Sequence, residues 1–301
     1  MNFREKKPIH LLLESLFKTY SKRVPDVKKI TNGLVKNKII SNQEDIINDH
    51  IAFRTMGVKN LGINSFEKIF LHHGYVKKDN YSFKLKKLNA FWYSHFDKNM
   101  PRIFISELKV DNLSIKAQEI IKSYTNTVTN DPVDKIDLNN SLQVSEYLQT
   151  PLWRLPTKND YESLLFESEY AAWVIYNRYY LNHYTISVHD LPGEYSDLNQ
   201  FNEFVKSLGI KLNKSGGEIK VSKDKLLRQS SSVANQIEAK FSEGEKKLIA
   251  GSYVEFAERN ILPEFSKINN LKIERKHRRE GFETGNADKI FESTFTSQIN
   301  N

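Results

Sequence analysis

His50 and Arg54 are two residues whose types and spacing could do chemistry. They lie in the run 48–55, which mixes strand-forming apolar residues with polar ones. Because side chains alternate between the two faces of a β-strand, a strand here places His50 and Arg54 on one face and Ile51 and Phe53 on the other. An imidazole is a common metal ligand and a guanidinium binds carboxylates, although a lone histidine on a strand is more often a hydrogen-bonded structural residue.

His183 provides His50 with a partner in a second strand-like run, residues 182–188. Alternation places His183 and Thr185 on a polar face and Tyr184 on the opposite, core-facing side. Two imidazoles leave a divalent metal under-coordinated, so a metal site needs a third protein ligand. A carboxylate would complete the set of two histidines and one carboxylate that leaves positions open for substrate and oxygen.

Glu255 is the best candidate for that carboxylate. It lies between two apolar residues in the strand-like run 251–259, and alternation directs its side chain inward. Glu258 then lies on the other face, where we expect it to pair with Arg259 or with water. A buried, unpaired carboxylate is costly unless a metal offsets the cost. The alternative is a pair of core histidines with an inward glutamate bonded to one of them.

The three candidate ligands belong to a module that occurs twice: a strand, a helix and three further strands, with a histidine on the first strand. In both copies the helix runs eight residues from a phenylalanine to a terminating glycine, Phe66 to Gly74 and Phe201 to Gly209. Two such modules side by side can curl around a shared cleft, where residues of corresponding strands converge. The further strands are predicted at 75–84, 88–96 and 102–110 in the first module and at 218–221, 227–233 and 251–257 in the second.

The remaining patterns predict helices around the modules. Residues 9–37 have apolar positions at helical spacing and are expected to form one or two helices joined near Pro25. Helices are also predicted at 114–124, inside a polar connector, and at 161–180. The predicted fold class is α+β, with two βαβββ-type modules forming a curved mixed sheet around a metal cleft. We expect one catalytic domain over 1–301, divided into N-terminal helices (1–40), a first module (45–110), a helical insertion (111–180), a second module (181–260) and a C-terminal extension (261–301).

The bulk composition limits the classes of partner. The 301 residues carry a formal net charge of +8 but include no cysteine, which excludes disulfides and thiolate chemistry. The basic residues are spread along the chain and interleaved with acids, so we interpret them as a solvated surface rather than a nucleic-acid footprint. The first eight residues form no apolar secretory segment, and no apolar run is long enough to span a membrane. We therefore expect a soluble cytoplasmic protein without a membrane partner.

Several motifs together resemble the DUF1338 family, which includes the 2-oxoadipate dioxygenase/decarboxylase enzymes. The resemblance covers nearly the full chain and implies a vicinal-oxygen-chelate-like fold, a single iron(II) and the conversion of 2-oxoadipate to 2-hydroxyglutarate and carbon dioxide, a step of lysine breakdown. By motif match it implies His50, His183 and Glu255 as metal ligands and Arg54 as a substrate-carboxylate ligand. The matching segments are 49–54 (DHIAFR), 101–108 (PRIFISEL), 182–188 (NHYTISV), 216–220 (GGEIK), 229–234 (QSSSVA), 251–259 (GSYVEFAER) and 281–294.

The resemblance leaves the identity of the substrate open, because the better-known bacterial members are longer. The expected partners are a small 2-oxo dicarboxylic acid and dioxygen. Arg54 suits the far carboxylate of such a diacid because it binds bidentately, and a structural salt bridge is the alternative. Gln229 and Ser231 could donate hydrogen bonds to the substrate, although surface or loop roles are equally compatible. Another metal enzyme of this fold, such as an extradiol dioxygenase or an isomerase, remains an alternative, as does a basic protein that binds without catalysis.

The remaining polar candidates are interpreted as structural or surface residues. Asn286 and Asp288 in the C-terminal motif are expected to cap a helix. His10 and His277 have no partner in the module repeat, and His189 is expected to leave the second strand and to be exposed.

Overall fold

The computed structural model describes residues 3, 5–268 and 272–300. Its α-helices are α1 (Pro8–Arg23), α2 (Pro25–Lys36), α3 (Ile63–His72), α4 (Ile115–Thr125), α5 (Ser141–Gln149), α6 (Lys158–Glu167), α7 (Glu169–Asn177), α8 (Leu198–Ser207), α9 (Pro263–Ser266), α10 (Thr284–Ile290) and α11 (Thr296–Ile299). Its strands are β1 (Asn48–Met56), β2 (Tyr75–Phe83), β3 (Leu88–His95), β4 (Arg102–Leu108), β5 (His183–Ser187), β6 (Lys220–Val221), β7 (Leu227–Ser231), β8 (Gln236–Lys240), β9 (Lys246–Ala250) and β10 (Tyr253–Arg259). Among the described residues, no helix combines the length and the apolar composition that a membrane crossing needs.

Eight of these strands form one curled, mixed sheet in the order β2-β3-β4-β1-β5-β10-β7-β6. β1 pairs with β4 in parallel and β5 pairs with β10 in parallel, while β1 and β5 meet antiparallel at the centre. Each half of the sheet therefore contains one copy of the predicted module. The predicted α+β fold class, with two strand-helix-strands modules forming a curved sheet, is confirmed.

The module helices α3 and α8 pack on one face of the sheet through aromatic side chains. Phe53 of β1 lies 4.9 Å from Phe66 of α3 between ring centroids, and Phe201 of α8 lies 5.1 Å from Phe256 of β10. These rings are fully buried, so they fill the space between helix and sheet. Both helices are followed by a glycine with positive φ, as the sequence predicts, and the opposite face of β1, β5 and β10 is left for polar groups.

The N-terminal helices pack against the centre of the sheet. α1 and α2 meet at Pro25, as the sequence predicts, because a proline is accepted at the first position of a helix but not inside one. Phe17 and Tyr20 of α1 surround the ring of Tyr184, and the Tyr20 hydroxyl donates to the backbone carbonyl of Tyr253. This hydrogen bond holds the start of β10 from the face of the sheet that lies opposite the polar groups.

Three details differ from the sequence prediction. The helix expected at 161–180 is two helices, α6 and α7, because the Ser168 hydroxyl accepts from the Ala171 backbone N–H and starts a new helix there. The connector contains the additional helix α5, and a separate hairpin of β8 and β9 interrupts the second module. The division into segments stays a prediction, and residues 1, 2, 4, 269–271 and 301 of the segments 1–40 and 261–301 lie outside the described residues.

Candidate active site

The three candidate metal ligands meet on three neighbouring strands. His50 on β1, His183 on β5 and Glu255 on β10 are all buried, and one ligand atom from each lies within 4.8 Å of the others. The two Nε2 atoms are 3.4 Å apart, and the Glu255 carboxylate oxygens lie 3.5 Å from His50 Nε2 and 3.1 Å from His183 Nε2. The structure therefore brings together the residues that alternation and the module repeat selected.

The residue that precedes each histidine orients its ring. The Nδ1 atom of His50 lies 2.8 Å from Asp49 Oδ1, and the Nδ1 atom of His183 lies 3.0 Å from the amide oxygen of Asn182. Both partners are acceptors, so the ring proton belongs on Nδ1 and the lone pair of each Nε2 points to the centre of the group. Ligand histidines in metal sites are oriented in this way.

The chemistry of this donor set fits a divalent cation. Two imidazole lone pairs and a carboxylate are acceptors that face one another at 3.1–3.5 Å, which is unfavourable without a positive charge between them, although the Thr185 hydroxyl, 3.1 Å from His50 Nε2, can donate to one of them. Burial alone would raise the pKa of Glu255, but the imidazoles of His50 and His183 outweigh burial and hold that pKa well below its usual value. A proton on the imidazoles has this effect, and a metal ion in the same position would have a stronger one.

Asp49 links the His50 ring to two buried arginines. Its carboxylate accepts from Arg259 Nε at 2.6 Å, from Arg259 Nη2 at 2.9 Å and from Arg102 Nη1 at 3.1 Å. Arg102 in turn pairs with Glu280 at 2.6 Å. Burial opposes ionisation of Asp49, but the two guanidinium groups hold its pKa well below the usual range. The sequence analysis missed this network, although an Asp directly before His50 and an Asn directly before His183 could have pointed to it.

Arg259 is thus not the partner of Glu258, contrary to the sequence prediction. Neighbouring residues on a strand point to opposite faces, so Arg259 reaches Asp49 while Glu258 contacts Arg228 at 2.9 Å and the Leu198 backbone N–H at 2.7 Å.

Gln229 and Ser231, the predicted substrate donors, are engaged with protein groups. Gln229 Nε2 donates to Glu255 Oε1 at 2.6 Å, and its amide oxygen accepts from Asn286 at 3.0 Å. Ser231 Oγ lies 2.8 Å from the Ser293 hydroxyl. Gln229 therefore orients the carboxylate of the triad. Asn286 does not cap a helix, because it is the third residue of α10 and its side-chain amide donates to the carbonyls of Lys220 on β6 and Leu227 on β7.

Two further predictions on polar residues are wrong. Asp288 pairs with Lys86 at 3.0 Å instead of capping a helix. His189 has a side chain only 10% exposed, and its Nδ1 accepts from the Arg259 backbone N–H at 3.1 Å. A short turn after β5 folds it back onto the sheet.

Arg54 lies on the same face of β1 as His50 and is 1% exposed. Its Nη1 donates to Thr294 Oγ1 at 3.0 Å and its Nη2 to the Phe291 carbonyl at 3.1 Å, whereas its Nε has no hydrogen-bond partner in the described part of the chain. Aromatic rings, including Trp173 at 5.2 Å, surround the guanidinium. No carboxylate of the described residues forms an ion pair with Arg54, so the alternative of a structural salt bridge has no partner there.

Comparison with protein families yields a match over most of the chain. The model of the 2-oxoadipate dioxygenase/decarboxylase family matches residues 12–267. The chain belongs to this family.

Two curated relatives carry the family's activity in their names. The chloroplastic 2-oxoadipate dioxygenase/decarboxylase of Arabidopsis thaliana is 44% identical over 262 residues, which cover 83% of this chain and 69% of the relative. The chloroplastic/amyloplastic enzyme of the same name from Oryza sativa subsp. japonica is 41% identical over 298 residues, 96% of this chain and 79% of the relative.

Solved structures agree with the family and the fold. The crystal structure of hydroxyglutarate synthase from Oryza sativa in complex with 2-oxoadipate has a TM-score of 0.87 at 40% identity and covers 96% of this chain and 93% of that one. A putative glyoxalase superfamily protein from Ralstonia eutropha JMP134 shares the fold, with a TM-score of 0.71 at 20% identity over 95% and 90% of the chains. The predicted family, the vicinal-oxygen-chelate-like fold and the assignment as an oxidoreductase enzyme are confirmed.

The cytoplasmic location expected from the sequence is wrong, because the two curated relatives are chloroplastic and chloroplastic/amyloplastic proteins. The expectation rested on the lack of cysteines, of an apolar secretory segment and of an apolar run long enough to span a membrane. Cysteine content reflects redox conditions and does not distinguish the cytoplasm from a plastid.

The concave face of this family member is covered by a C-terminal segment, residues 281–294, which we call the C-terminal cover. Phe282 lies edge-on to the His50 ring at 4.8 Å, and Phe291 and Thr294 contact Arg54. A groove of about 740 Å³ lies beside Asp49, and its lining does not include the three triad residues. The triad is therefore enclosed by the protein.

Lys220 is a second buried cation on this side of the sheet. It pairs with Gln229 across β6 and β7, so both side chains lie on the same face. Its Nζ donates to the carbonyls of Asn213 at 2.7 Å and Glu218 at 3.3 Å, and burial lowers its pKa to about 8. The sequence analysis did not single out Lys220.

Proposed function

We propose that this chain is an iron(II)-dependent dioxygenase that converts a 2-oxo diacid, 2-oxoadipate, to 2-hydroxyglutarate and carbon dioxide in lysine breakdown. The observation that carries the proposal is the enclosed triad of His50, His183 and Glu255 together with the guanidinium of Arg54 on the same face, which forms no ion pair among the described residues. The rice hydroxyglutarate synthase structure, 40% identical, was obtained with 2-oxoadipate bound. We further propose that residues 1–301 act as a single catalytic domain.

His50, His183 and Glu255 would hold the iron. Two histidines and one carboxylate with open positions are the ligand set of non-haem iron(II) oxygenases. When bound, the metal supplies the Lewis acidity and redox chemistry by which dioxygen reacts with a 2-oxo acid. Asp49, Asn182 and Gln229 keep the three ligands in their orientation, and the C-terminal cover excludes water from the reacting groups.

Arg54 would bind the carboxylate at the far end of the diacid. It is four residues from His50 along β1, which gives a Cα separation of roughly 13 Å at the usual strand rise. The long Arg54 side chain can bring its guanidinium closer to the imidazole than this Cα separation. A guanidinium offers two parallel N–H donors to a carboxylate, and the Nε of Arg54 has no competing partner among the described residues. The substrate is then fixed at both ends.

Oxygen consumption tests the proposed reaction directly. Anaerobic protein loaded with iron(II) and 2-oxoadipate is exposed to air. The expected result is the uptake of one molecule of dioxygen per molecule of 2-hydroxyglutarate formed. Oxygen uptake with a catechol, or isomerisation without oxygen, would identify a different reaction on the same scaffold. The absence of oxygen uptake with every 2-oxo acid tried would refute the proposal.

Two variants on β10 test the metal ligand. Glu255→Ala is expected to abolish iron binding, because it removes the one charged ligand of the triad. Glu258→Gln is the matched control, since Glu258 lies on the other face of the same strand and pairs with Arg228. Metal content after dialysis measures both, and full iron occupancy in Glu255→Ala would show that Glu255 is not a ligand.

A further inference from the structure

Tyr253 has a buried hydroxyl group without a partner. It is the first residue of β10 and lies two residues before Glu255, so both side chains are on the concave face. The side chain is fully buried, and its hydroxyl makes no hydrogen bond within the described part of the chain. Leaving a buried hydroxyl unsatisfied is unfavourable, so such a group beside the triad is a candidate ligand contact.

The position of Tyr253 is fixed at both the backbone and the ring. Its Cα pairs with that of His183 in the parallel ladder, and its carbonyl accepts from the Tyr20 hydroxyl. Its ring stacks on the His183 imidazole, with the centroids 4.7 Å apart and the planes 30° apart. The ring therefore reaches from the metal-binding end of the cleft towards the Arg54 end.

The groups that face the Tyr253 hydroxyl are mainly hydrogen-bond donors. Arg54 and Glu255 are the charged groups that act on the hydroxyl, the Arg54 guanidinium faces it as a donor, and Arg54 Nε has no hydrogen-bond partner among the described residues. The Ser293 hydroxyl is nearby, but it already donates to the Ile290 carbonyl at 2.8 Å. A tyrosine hydroxyl has a usual pKa of about 10, so it keeps its proton at neutral pH and can donate. Neither the Tyr253 hydroxyl nor Arg54 Nε donates to a protein acceptor among the described residues, and a carboxylate supplies two acceptor oxygens that suit both donors.

We propose that the Tyr253 hydroxyl and the Arg54 guanidinium together bind the far carboxylate of the substrate, and that Tyr253 makes the cleft selective for 2-oxo diacids over 2-oxo monoacids. This inference rests on the proposed function and adds a specificity residue to it. Because the Tyr253 ring stacks on His183, its hydroxyl is held at a fixed place relative to the triad. Tyr253 therefore also limits the chain length of the diacid.

Tyr253→Phe tests the role of the hydroxyl, because it keeps the ring over His183. The probes are 2-oxoadipate and 2-oxohexanoate, a monoacid of the same length, and their equilibrium binding to the iron-loaded protein is measured without oxygen. Loss of one hydrogen bond to a charged group is expected to weaken 2-oxoadipate binding about 10- to 100-fold. The affinity ratio between diacid and monoacid is expected to fall by the same factor, while the iron content stays at the wild-type level.

Tyr184→Phe is the matched control. Tyr184 is also buried, its hydroxyl is also without a hydrogen-bond partner among the described residues, and it is next to His183 in sequence, but it faces α1 on the other side of the sheet. We expect this variant to bind both acids as the wild type does.

An unchanged affinity ratio in Tyr253→Phe would overturn the inference: if both affinities keep their wild-type values the hydroxyl binds neither acid, and if both fall by the same factor the cleft is generally disturbed. Wild-type protein that binds neither acid would overturn it as well. Oxygen uptake by the wild type tests the proposed function separately. If that uptake is absent but the affinity ratio still changes in Tyr253→Phe, the reaction is wrong and the carboxylate site stands.

Discussion

Replacing Asp49 by asparagine should affect both stability and metal binding, because four hydrogen bonds converge on this buried carboxylate. Oδ1 accepts from His50 and Arg259, and Oδ2 accepts from Arg259 and Arg102. An asparagine has only one acceptor oxygen, so it can replace only one of the two carboxylate oxygens. If its NH₂ takes the Oδ2 position, it faces the N–H donors of Arg259 and Arg102, and no hydrogen bond forms. With its NH₂ at the Oδ1 position, His50 must accept on Nδ1 and carry its proton on Nε2, where the metal would bind.

The expected magnitudes follow from the burial of these groups. Asp49 is 2% exposed, Arg102 is 3% exposed and Arg259 is 1% exposed, so solvent cannot replace the lost charge. Removing one partner of a buried ion pair costs about 3–5 kcal/mol, and Glu280 still neutralises part of the charge of Arg102, so we expect a loss of about 3 kcal/mol. Loss of a partner that orients a metal ligand costs about 10- to 100-fold in metal affinity.

Denaturant unfolding and competitive metal titration measure the two effects of Asp49→Asn. Asp131→Asn is the control, because Asp131 forms a partly exposed pair with Lys68 at 2.9 Å. That variant is expected to lose about 1 kcal/mol or less and to keep its metal affinity. The reasoning would be refuted if Asp49→Asn lost less than about 1 kcal/mol, or if its metal affinity matched that of the control.

Three further substitutions on the concave face have distinct expected results. Arg54→Met should weaken 2-oxoadipate binding, measured by anaerobic titration, by about 100-fold or more. Denaturant unfolding should show a free protein that is as stable as the wild type or more stable, because the variant removes a buried cation that has no counter-ion among the described residues. Gln229→Leu should lower iron affinity by about tenfold in a competition titration, because Glu255 Oε1 loses its amide donor; unchanged affinity would contradict the orienting role. The folded-state pKa of Lys220, about 8, lies below its usual 10.5, so its burial destabilises the protein below pH 8 and this penalty is relieved as the pH rises to 10.5. The stability of wild type relative to Lys220→Met should therefore increase over that interval by up to about 3 kcal/mol in denaturant unfolding, and a flat difference would contradict the burial of a charged amine.

The triad could be predicted from the sequence because alternation along a strand is strict. Once two strands are aligned by the module repeat, the inward positions of each are determined, and His50 and His183 become neighbours without further information. The same rule excludes a contact between Glu258 and Arg259, which the sequence analysis nevertheless expected. The error came from pairing two residues because they are adjacent in sequence. On a strand, adjacent side chains point to opposite faces and do not meet.

The network around Asp49 could not be predicted in the same way. Arg102 reaches Asp49 from β4 and Arg259 from the end of β10, and both contacts depend on which strands become neighbours in the folded sheet. The C-terminal cover presents a similar problem. Its sequence indicates a short helix, but nothing local indicates that Phe282 packs on His50 or that the Phe291 carbonyl accepts from Arg54.

The charges of the cleft explain why a dianion suits it. Arg54 and Lys220 are buried cations, and Glu255 is the anion of the triad, so these three groups leave one net positive charge before a metal binds. A divalent ion raises that charge to three, which would be costly in an enclosed site. A 2-oxo diacid brings two negative charges and leaves about one, whereas a monoacid leaves two. The proposed preference for a diacid therefore has a charge component, from Arg54 and Lys220, and a hydrogen-bonding component, from the Tyr253 hydroxyl. Because Tyr253→Phe removes only the hydrogen-bonding component, the discrimination that remains in that variant measures the contribution of charge.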